Sequence, residues 1–562
     1  MSGISLARRL YAIVVAILLM LALAACGEGD GAASPVPATP STATPEMTAN
    51  AVNASPTPIT SIRGPVLDLA GEAPAGTVFG IDRGDFGAGT TSLSHGDFNG
   101  DGLDDILAGA RFGDGPDNER EDGGEAFVIF GRPEMAGDVD LAGGQQDVTI
   151  YGREAGDDLG FSVLGADVNG DGTDDILVGA PAASGKEDPR TDQGQVYVFF
   201  GASDLSGVLD IAEEPQALTI TGAEGFSRIG EAIAAGDVNG DGIKDIILGG
   251  PFAGREPGSP PGGPRTEVGE VYVILGGPDL AGQMGLHRGL QDLTISGSQQ
   301  FGRFGTTVAS ADLNRDDIDD IIVGAPQSDV SGDERPAAGA VYVFFGAEGL
   351  SGKLSIADGA EDVLVLGAIE SHGLGILLAT GDFSGDGVDD LAIGARRAAQ
   401  AEGLEGEEAP RRVMHVVFGR NDLAGTVDVA AGEEDVTIFS AETPSLLLTS
   451  LAGGDLNSDG VTDLILGAGS APGPVERPSA GLTFVLLGGP DLATLNLSAG
   501  RQSLAIVGMD SGDLLGAAVT AAKTGGGDRP QLILLASAAD GEENAGADSG
   551  EIYIVEVGSL GG

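Results

Sequence analysis

The stretch DVNGDGTDDILVGAP, residues 167–181, sets four aspartates and an asparagine into nine positions and then turns apolar. Side-chain oxygens fall at positions 1, 3, 5 and 9 of the pattern Asp-x-Asn-x-Asp-Gly-x-x-Asp. A hard divalent cation takes about six to eight oxygens at about 2.3–2.6 Å, and alternate side chains of one tight loop, with the carbonyl of position 7, can supply them. An all-oxygen donor set selects calcium over zinc or copper, and a flexible ligand number favours it over magnesium. The pattern opens at Asp97, Asp167, Asp237, Asp312, Asp382 and Asp455, so up to six Ca2+ are expected.

The first candidate set is Asp97, Asn99, Asp101, the Leu103 carbonyl and Asp105. The second is Asp167, Asn169, Asp171, Thr173 and Asp175, again with position 7 acting through its carbonyl. The third is Asp237, Asn239, Asp241, Ile243 and Asp245, and the fourth Asp312, Asn314, Asp316, Ile318 and Asp320. The fifth is Asp382, Ser384, Asp386, Val388 and Asp390, and the sixth Asp455, Asn457, Asp459, Val461 and Asp463. An EF-hand needs Glu at position 12. The first three loops carry Ala108, Val178 and Leu248 there, so each loop is expected between two strands. Lys244, at position 8, lies outside the ligand set. Asp317 replaces the glycine that eases the turn, and Ser384 is a poorer ligand than Asn. The fourth and fifth loops are therefore expected to bind most weakly.

What must position these loops is a repeat. From Asp97 onward the six openings are spaced by 70, 70, 75, 70 and 73 residues. Two strand-like markers keep the same beat seven times: TVFG, DVTIYG, ALTITG, DLTISG, DVLVLG, DVTIFS and SLAIVG, then AFVIFG, VYVFFG, VYVILG, VYVFFG, MHVVFG, TFVLLG and IYIVEV. The seventh copy, AAKTGGGDRPQLILLAS, has lost the aspartates of the pattern. About four short β-rich runs per unit, bounded by turn residues, indicate propeller blades. The expected fold is all-β, a seven-bladed β-propeller over residues 65–562, with repeats at 77–146, 147–216, 217–291, 292–361, 362–434, 435–502 and 503–562. Units one to six end in phrases such as SGVLDIA. Unit seven lacks one, and GPVLDLAG, residues 64–71, supplies it from the other end of the chain. An N-terminal strand is thus expected to complete the last blade and close the ring, leaving no free sheet edge.

The formal net charge of −58 repels nucleic acid and anionic lipid. A 41% hydrophobic content separates the chain from acidic disordered sequences, and one cysteine permits no internal disulfide. Arg8 and Arg9 precede an apolar run that ends Leu23-Ala24-Ala25-Cys26 and resembles a bacterial lipobox. Residues 1–25 are therefore expected to be a lipoprotein signal peptide with Cys26 lipidated; the apolar run is short for a membrane span. Residues 26–64 form a Pro/Ser/Thr-rich linker. The membrane would be touched only through the N-terminal lipid, by an extracytoplasmic body at the cell surface or in the periplasm.

Leu159-Gly160-Phe161-Ser162-Val163 before the acidic loop and Val178-Gly179-Ala180-Pro181 after it resemble the FG-GAP repeat of integrin α-subunit propellers, also found in bacterial surface proteins of that type. The resemblance covers nearly all of the chain beyond the linker. It implies a seven-bladed propeller with calcium in hairpin loops of the lower face and ligands on the opposite one. Phe301-Gly302 and Phe304-Gly305 keep the FG pair, and GAP is intact at 179–181 and 324–326. The seventh unit matches no metal motif.

Connections such as RFGDGPDNEREDGG and QSDVSGDERPAAG vary in length and charge and are expected on the face opposite the acidic loops, where binding is usually placed. No catalytic residue is assigned. His95, His287, His372 and His415 fall at unrelated positions, Ser511 and Ser549 lack partners, and Arg83-Gly84-Asp85 is a chance match in a Gly/Asp-rich chain. The expected function is a calcium-stabilised, tethered scaffold for protein binding or cell adhesion, its ligand a protein or cell-surface group. The alternative is an extracellular hydrolase or lyase with convergent carboxylates, Tyr and Arg in the propeller channel.

Overall fold

The computed structural model describes residues 65–557 apart from 81–91, 134–136, 185–191, 214–215, 224, 255–266, 331–334, 401–410, 441–447, 474–476, 498–499, 528 and 538–549. The expected signal segment 1–25, Cys26, the linker to residue 64, Arg83-Gly84-Asp85 and Ser549 lie outside the described residues.

Short runs rich in Val, Ile, Thr and aromatics suit a pleated surface and build strands throughout. They assemble into seven five-stranded sheets. In blade 1, Leu93–Gly96, Asp105–Ala110, Glu125–Ile129 and Val148–Tyr151 pair antiparallel in chain order. The expected four strands are joined by a fifth: Gly207–Asp210, from the phrase SGVLDIA of the following repeat, pairs parallel with Val148–Tyr151. The same happens at Gly282–Gly285, Gly352–Ser355 and Gly425–Asp428. Each first strand touches the first strands of both neighbouring blades, so these seven strands form the hub of a closed ring.

Blade and sequence repeat are out of phase. TVFG, which opens the unit 77–146, lies in Gly76–Phe79 and pairs antiparallel with Glu551–Val555 as the fourth strand of blade 7. Blade 1 in space runs from Leu93 to Tyr151. The N-terminal segment closes the ring in two places. Val66–Asp68, the phrase missing from unit seven, pairs parallel with Leu504–Val507 on the outside of blade 6, whereas the strand after it completes blade 7. Sheet edges are not abolished as expected. Each blade ends in a parallel strand of two to four residues, too short to template further pairing.

The core is divided among the blade interfaces. Seven apolar clusters each join two adjacent sheets; one unites Ile106 and Phe127 of blade 1 with Ile533, Leu535 and Ile552 of blade 7. The paired glycines of the repeat have their reason here. A Cβ on Gly109 would stand 2.0 Å from the Gly160 carbonyl oxygen, and one on Gly179 would stand 2.2 Å from that of Gly230. Gly160 and Gly230 themselves sit at φ 82° and 88°, in the left-handed region. One glycine admits the turn and the other admits the turn's close approach to the neighbouring sheet.

Candidate metal centres

Each acidic loop joins the first strand of its blade to the second. The turn is built alike six times. In the first loop, Asp97 Oδ1 accepts from the Asp101 amide at 2.9 Å and Oδ2 from the Gly102 amide at 2.8 Å, while Asp101 Oδ1 accepts from the Leu103 amide at 3.0 Å. Asp167, Asp237, Asp312, Asp382 and Asp455 repeat the two position-1 bonds. Asp105 opens the second strand, accepting from Phe98 at 2.9 Å and from Gly131 at 2.8 Å. Three loops depart. In the fourth, Arg315 and Asp317 take φ 64° and 65°, where the first loop has Gly100 and Gly102, and in the sixth Ser458 takes φ 61° at the place of Gly100; each costs ~1 kcal/mol or more. In the fifth, Asp390 Oδ2 accepts from Ser384, one residue further along the loop than in the others.

The last aspartate of each set is its most informative member. Asp105, Asp175, Asp245, Asp320, Asp390 and Asp463 are all 0% exposed. Burial pushes the carboxyl pKa up to about 7 at Asp105, Asp175, Asp320 and Asp390, and to about 6 at Asp245 and Asp463. Backbone amides oppose the shift only in part, and the loop's other aspartates add to it. No ion pair among the described residues reaches these six. A buried carboxylate without compensation is costly, so each site calls for a cation or a proton.

Blade 7 offers the internal comparison. By strand register, Ala522 faces Gln531 as Gly96 faces Asp105. Lys523 and Gln531 therefore stand where blade 1 has Asp97 and Asp105. Gln531 is buried, and its Oε1 accepts from the Thr524 hydroxyl. Where the outer carboxylates are gone, the buried one is replaced by a neutral amide. That substitution was visible as a missing motif, but its meaning depends on the burial of position 9.

As placed, no group of three or more His, Cys, Asp or Glu side chains among the described residues is arranged to hold a metal ion. The loop carboxylates turn onto backbone amides instead. Their donor chemistry still fits a hard cation: hard oxygens only, with a buried, uncompensated carboxylate at the base of every loop.

The other candidates disperse. His95 Nδ1 lies 3.0 Å from Thr520 Oγ1 at the hub. The His372 and His415 rings meet edge to face at 5.7 Å, with Glu434 Oε1 3.2 Å from His415 Nδ1; no sequence motif announced that contact. Ser511 Oγ donates to the Pro478 carbonyl at 3.0 Å. The seven first strands read LSHG, VLGA, AIAAG, TVASA, LGILLATG, SLAGG and LGAAVTAA, with His95 their one titratable side chain. No helix among the described residues is long and apolar enough to cross a membrane.

The FG-GAP repeat family matches residues 89–129, 159–199, 229–274, 304–344, 374–404 and 448–486, in step with blades 1 to 6. The chain is 34% identical to integrin alpha-8 of Mus musculus over 242 residues, 42% of this chain and 19% of that one. It is 29% identical to integrin alpha pat-2 of Caenorhabditis elegans over 312 residues, 52% and 23% of the two chains. It is 32% identical to phosphatidylinositol-glycan-specific phospholipase D of Bos taurus over 187 residues, 33% and 20%. The chain thus spans less than a third of the length of these curated relatives. Six FG-GAP repeats in step with the blades, together with the integrin likeness, support an FG-GAP/integrin-alpha-type β-propeller.

Proposed function

We propose that this propeller is a calcium-stabilised, membrane-tethered, extracytoplasmic scaffold that binds a protein or cell-surface ligand. The observation that carries the scaffold reading is the hub. Its seven strands bear no Asp, Glu, Lys, Arg or Tyr, so a hydrolase or lyase in the channel would have the lone His95 and no carboxylate or phenol on these strands to use. The integrin-alpha likeness supports protein binding, and the ligand face would be the one carrying the long connections between second and third strands.

Calcium would be held by the five-residue sets beginning at Asp97, Asp167, Asp237, Asp312, Asp382 and Asp455. It would supply the charge that the six buried aspartates lack. Extracellular cages of this kind bind at about 10⁻⁴–10⁻³ M, which at millimolar calcium gives about 0.4–1.4 kcal/mol per site. Lipidation at Cys26 and the linker to residue 64 would hold the ring off the membrane.

The test combines calorimetric calcium titration of residues 64–562 with partner capture from envelope extracts, with calcium and with chelator. Several sites and a protein partner captured only with calcium support the proposal. A titration without heat removes the calcium reading, and turnover of a glycan, ester or peptide library without capture removes the scaffold reading.

A further inference from the structure

Adjacent acidic loops are joined by a residue that belongs to no ligand set, position 8 of the pattern. Asp174 of blade 2 accepts through Oδ2 from the backbone N–H of Asp97, the first residue of the blade 1 loop, at 2.9 Å. Asp319 of blade 4 does the same for Asp237 of blade 3 at 2.9 Å, and Asp104 of blade 1 for Lys523 of blade 7 at 2.6 Å. Asp389 of blade 5 accepts likewise from Asp312. The backbone closes the contact from the other side. The Asp174 amide donates to the Asp97 carbonyl at 3.1 Å, that of Asp319 to Asp237 at 3.0 Å, and that of Asp104 to Lys523 at 3.0 Å. One aspartate thus clasps both polar groups of position 1 in the preceding blade.

The clasp is incomplete at three junctions. Blade 3 has Lys244 at position 8, and its ammonium turns to Asp319 Oδ2 at 2.8 Å. Blade 6 has Thr462, which keeps the backbone bond to the Asp382 carbonyl at 3.0 Å but offers no carboxylate. Blade 7 has Pro530, which has no N–H to donate.

Position 1 is the residue whose two carboxylate oxygens hold the turn together, so its backbone setting governs where the other donors stand. Partners that orient metal ligands in this way are typically worth about 10–100-fold in metal affinity. We propose that the position-8 aspartate of each blade is a positioning residue for ion binding in the blade before it, a role that rests on the calcium reading above. Asp174, Asp319 and Asp389 strengthen the loops of blades 1, 3 and 4, while the loops of blades 2, 5 and 6 bind without that help. The supporting contacts then run in one direction around the ring, while any coupling of ion binding between two neighbouring loops is reciprocal.

The test follows hydrogen exchange of segments 97–105 and 167–175 through a calcium titration, in the wild type, Asp174→Ala and Asp104→Ala. Asp174→Ala should raise the calcium midpoint of 97–105 by about tenfold and that of 167–175 by less. Asp104→Ala removes the same charge from within the first loop, but its clasp reaches the ion-free blade 7, so it should move the 97–105 midpoint little. Equal shifts in the two variants, or a larger shift in 167–175 for Asp174→Ala, would show action through charge alone and overturn the proposal. Lys244→Asp supplies the missing carboxylate and should lower the midpoint of 167–175; no gain there counts against it. If the wild type shows no calcium-dependent protection, the calcium reading fails by itself. The clasp is then read in chelator, where faster exchange at Asp97 in Asp174→Ala but not in Asp104→Ala retains it, and equal exchange discards it.

Discussion

Arg477 holds Asp68 across the ring closure: its Nη1 donates to Asp68 Oδ1 at 2.7 Å and to the Gly508 carbonyl at 2.6 Å. Arg120 binds Asp210 and the Gly152 carbonyl in the same manner, and Arg335 binds Asp428 and the Gly367 carbonyl. Each arginine ties the end of a fourth strand to the parallel strand outside it. Of these three pairs, the Arg477 pair is the one that reaches the N-terminal segment. Arg477→Ala should cost about 1 kcal/mol and speed hydrogen exchange in 66–68, whereas Arg120→Ala should loosen 207–210 and leave the closure intact. The Arg477 guanidinium holds the Asp68 carboxyl below its ordinary value of 3.8. This contribution is therefore present above that value and lost as pH falls through the lowered one.

Asp175→Asn should reverse sign with the ion. In chelator above about pH 7, where Asp175 is ionised, the variant removes a buried, uncompensated charge, as Gln531 does in blade 7, and melting should be unchanged or slightly higher. At saturating calcium it removes a ligand and should melt lower than the wild type. Parallel melts in the two buffers check this, and a variant less stable in both would point to an ordinary hydrogen-bonding role.

The ion-free ring should weaken as pH rises. The six buried aspartates keep their protons up to about pH 6 or 7, while unfolded aspartate releases them near 3.8. The folded state then binds more protons across that window, and stability falls from about pH 4 to about pH 7. Calcium requires the carboxylates ionised, so its stabilising effect should grow over the same range. Melting in chelator and in calcium, stepped through pH, measures both slopes.

Gly179→Ala should be severe for its size. The new Cβ would meet the Gly230 carbonyl oxygen at 2.2 Å, a backbone atom that cannot swing aside. About 1–3 kcal/mol is expected from overpacking, and denaturant unfolding measures it. An alanine at Gly172, with nothing within 4 Å but φ 89°, should cost only the backbone strain.

The number of blades, the acidic loops and the split repeat that closes the ring were legible in the sequence, because each is written as residue types at fixed short spacing. Asp97 to Asp105 lie within one turn of chain, so their oxygens can be assigned to one loop without knowing what surrounds it. The tertiary structure decided what faces what. That VLD sits outside blade 6 while TVF completes blade 7, that position 9 is sealed from water, and that Asp174 reaches back to Asp97 all depend on segments far apart in the chain. The two partners of that last bond are 77 residues apart, and no local spacing encodes the contact. It exists because paired glycines let the sheets approach closely and the closed ring brings each loop against the next.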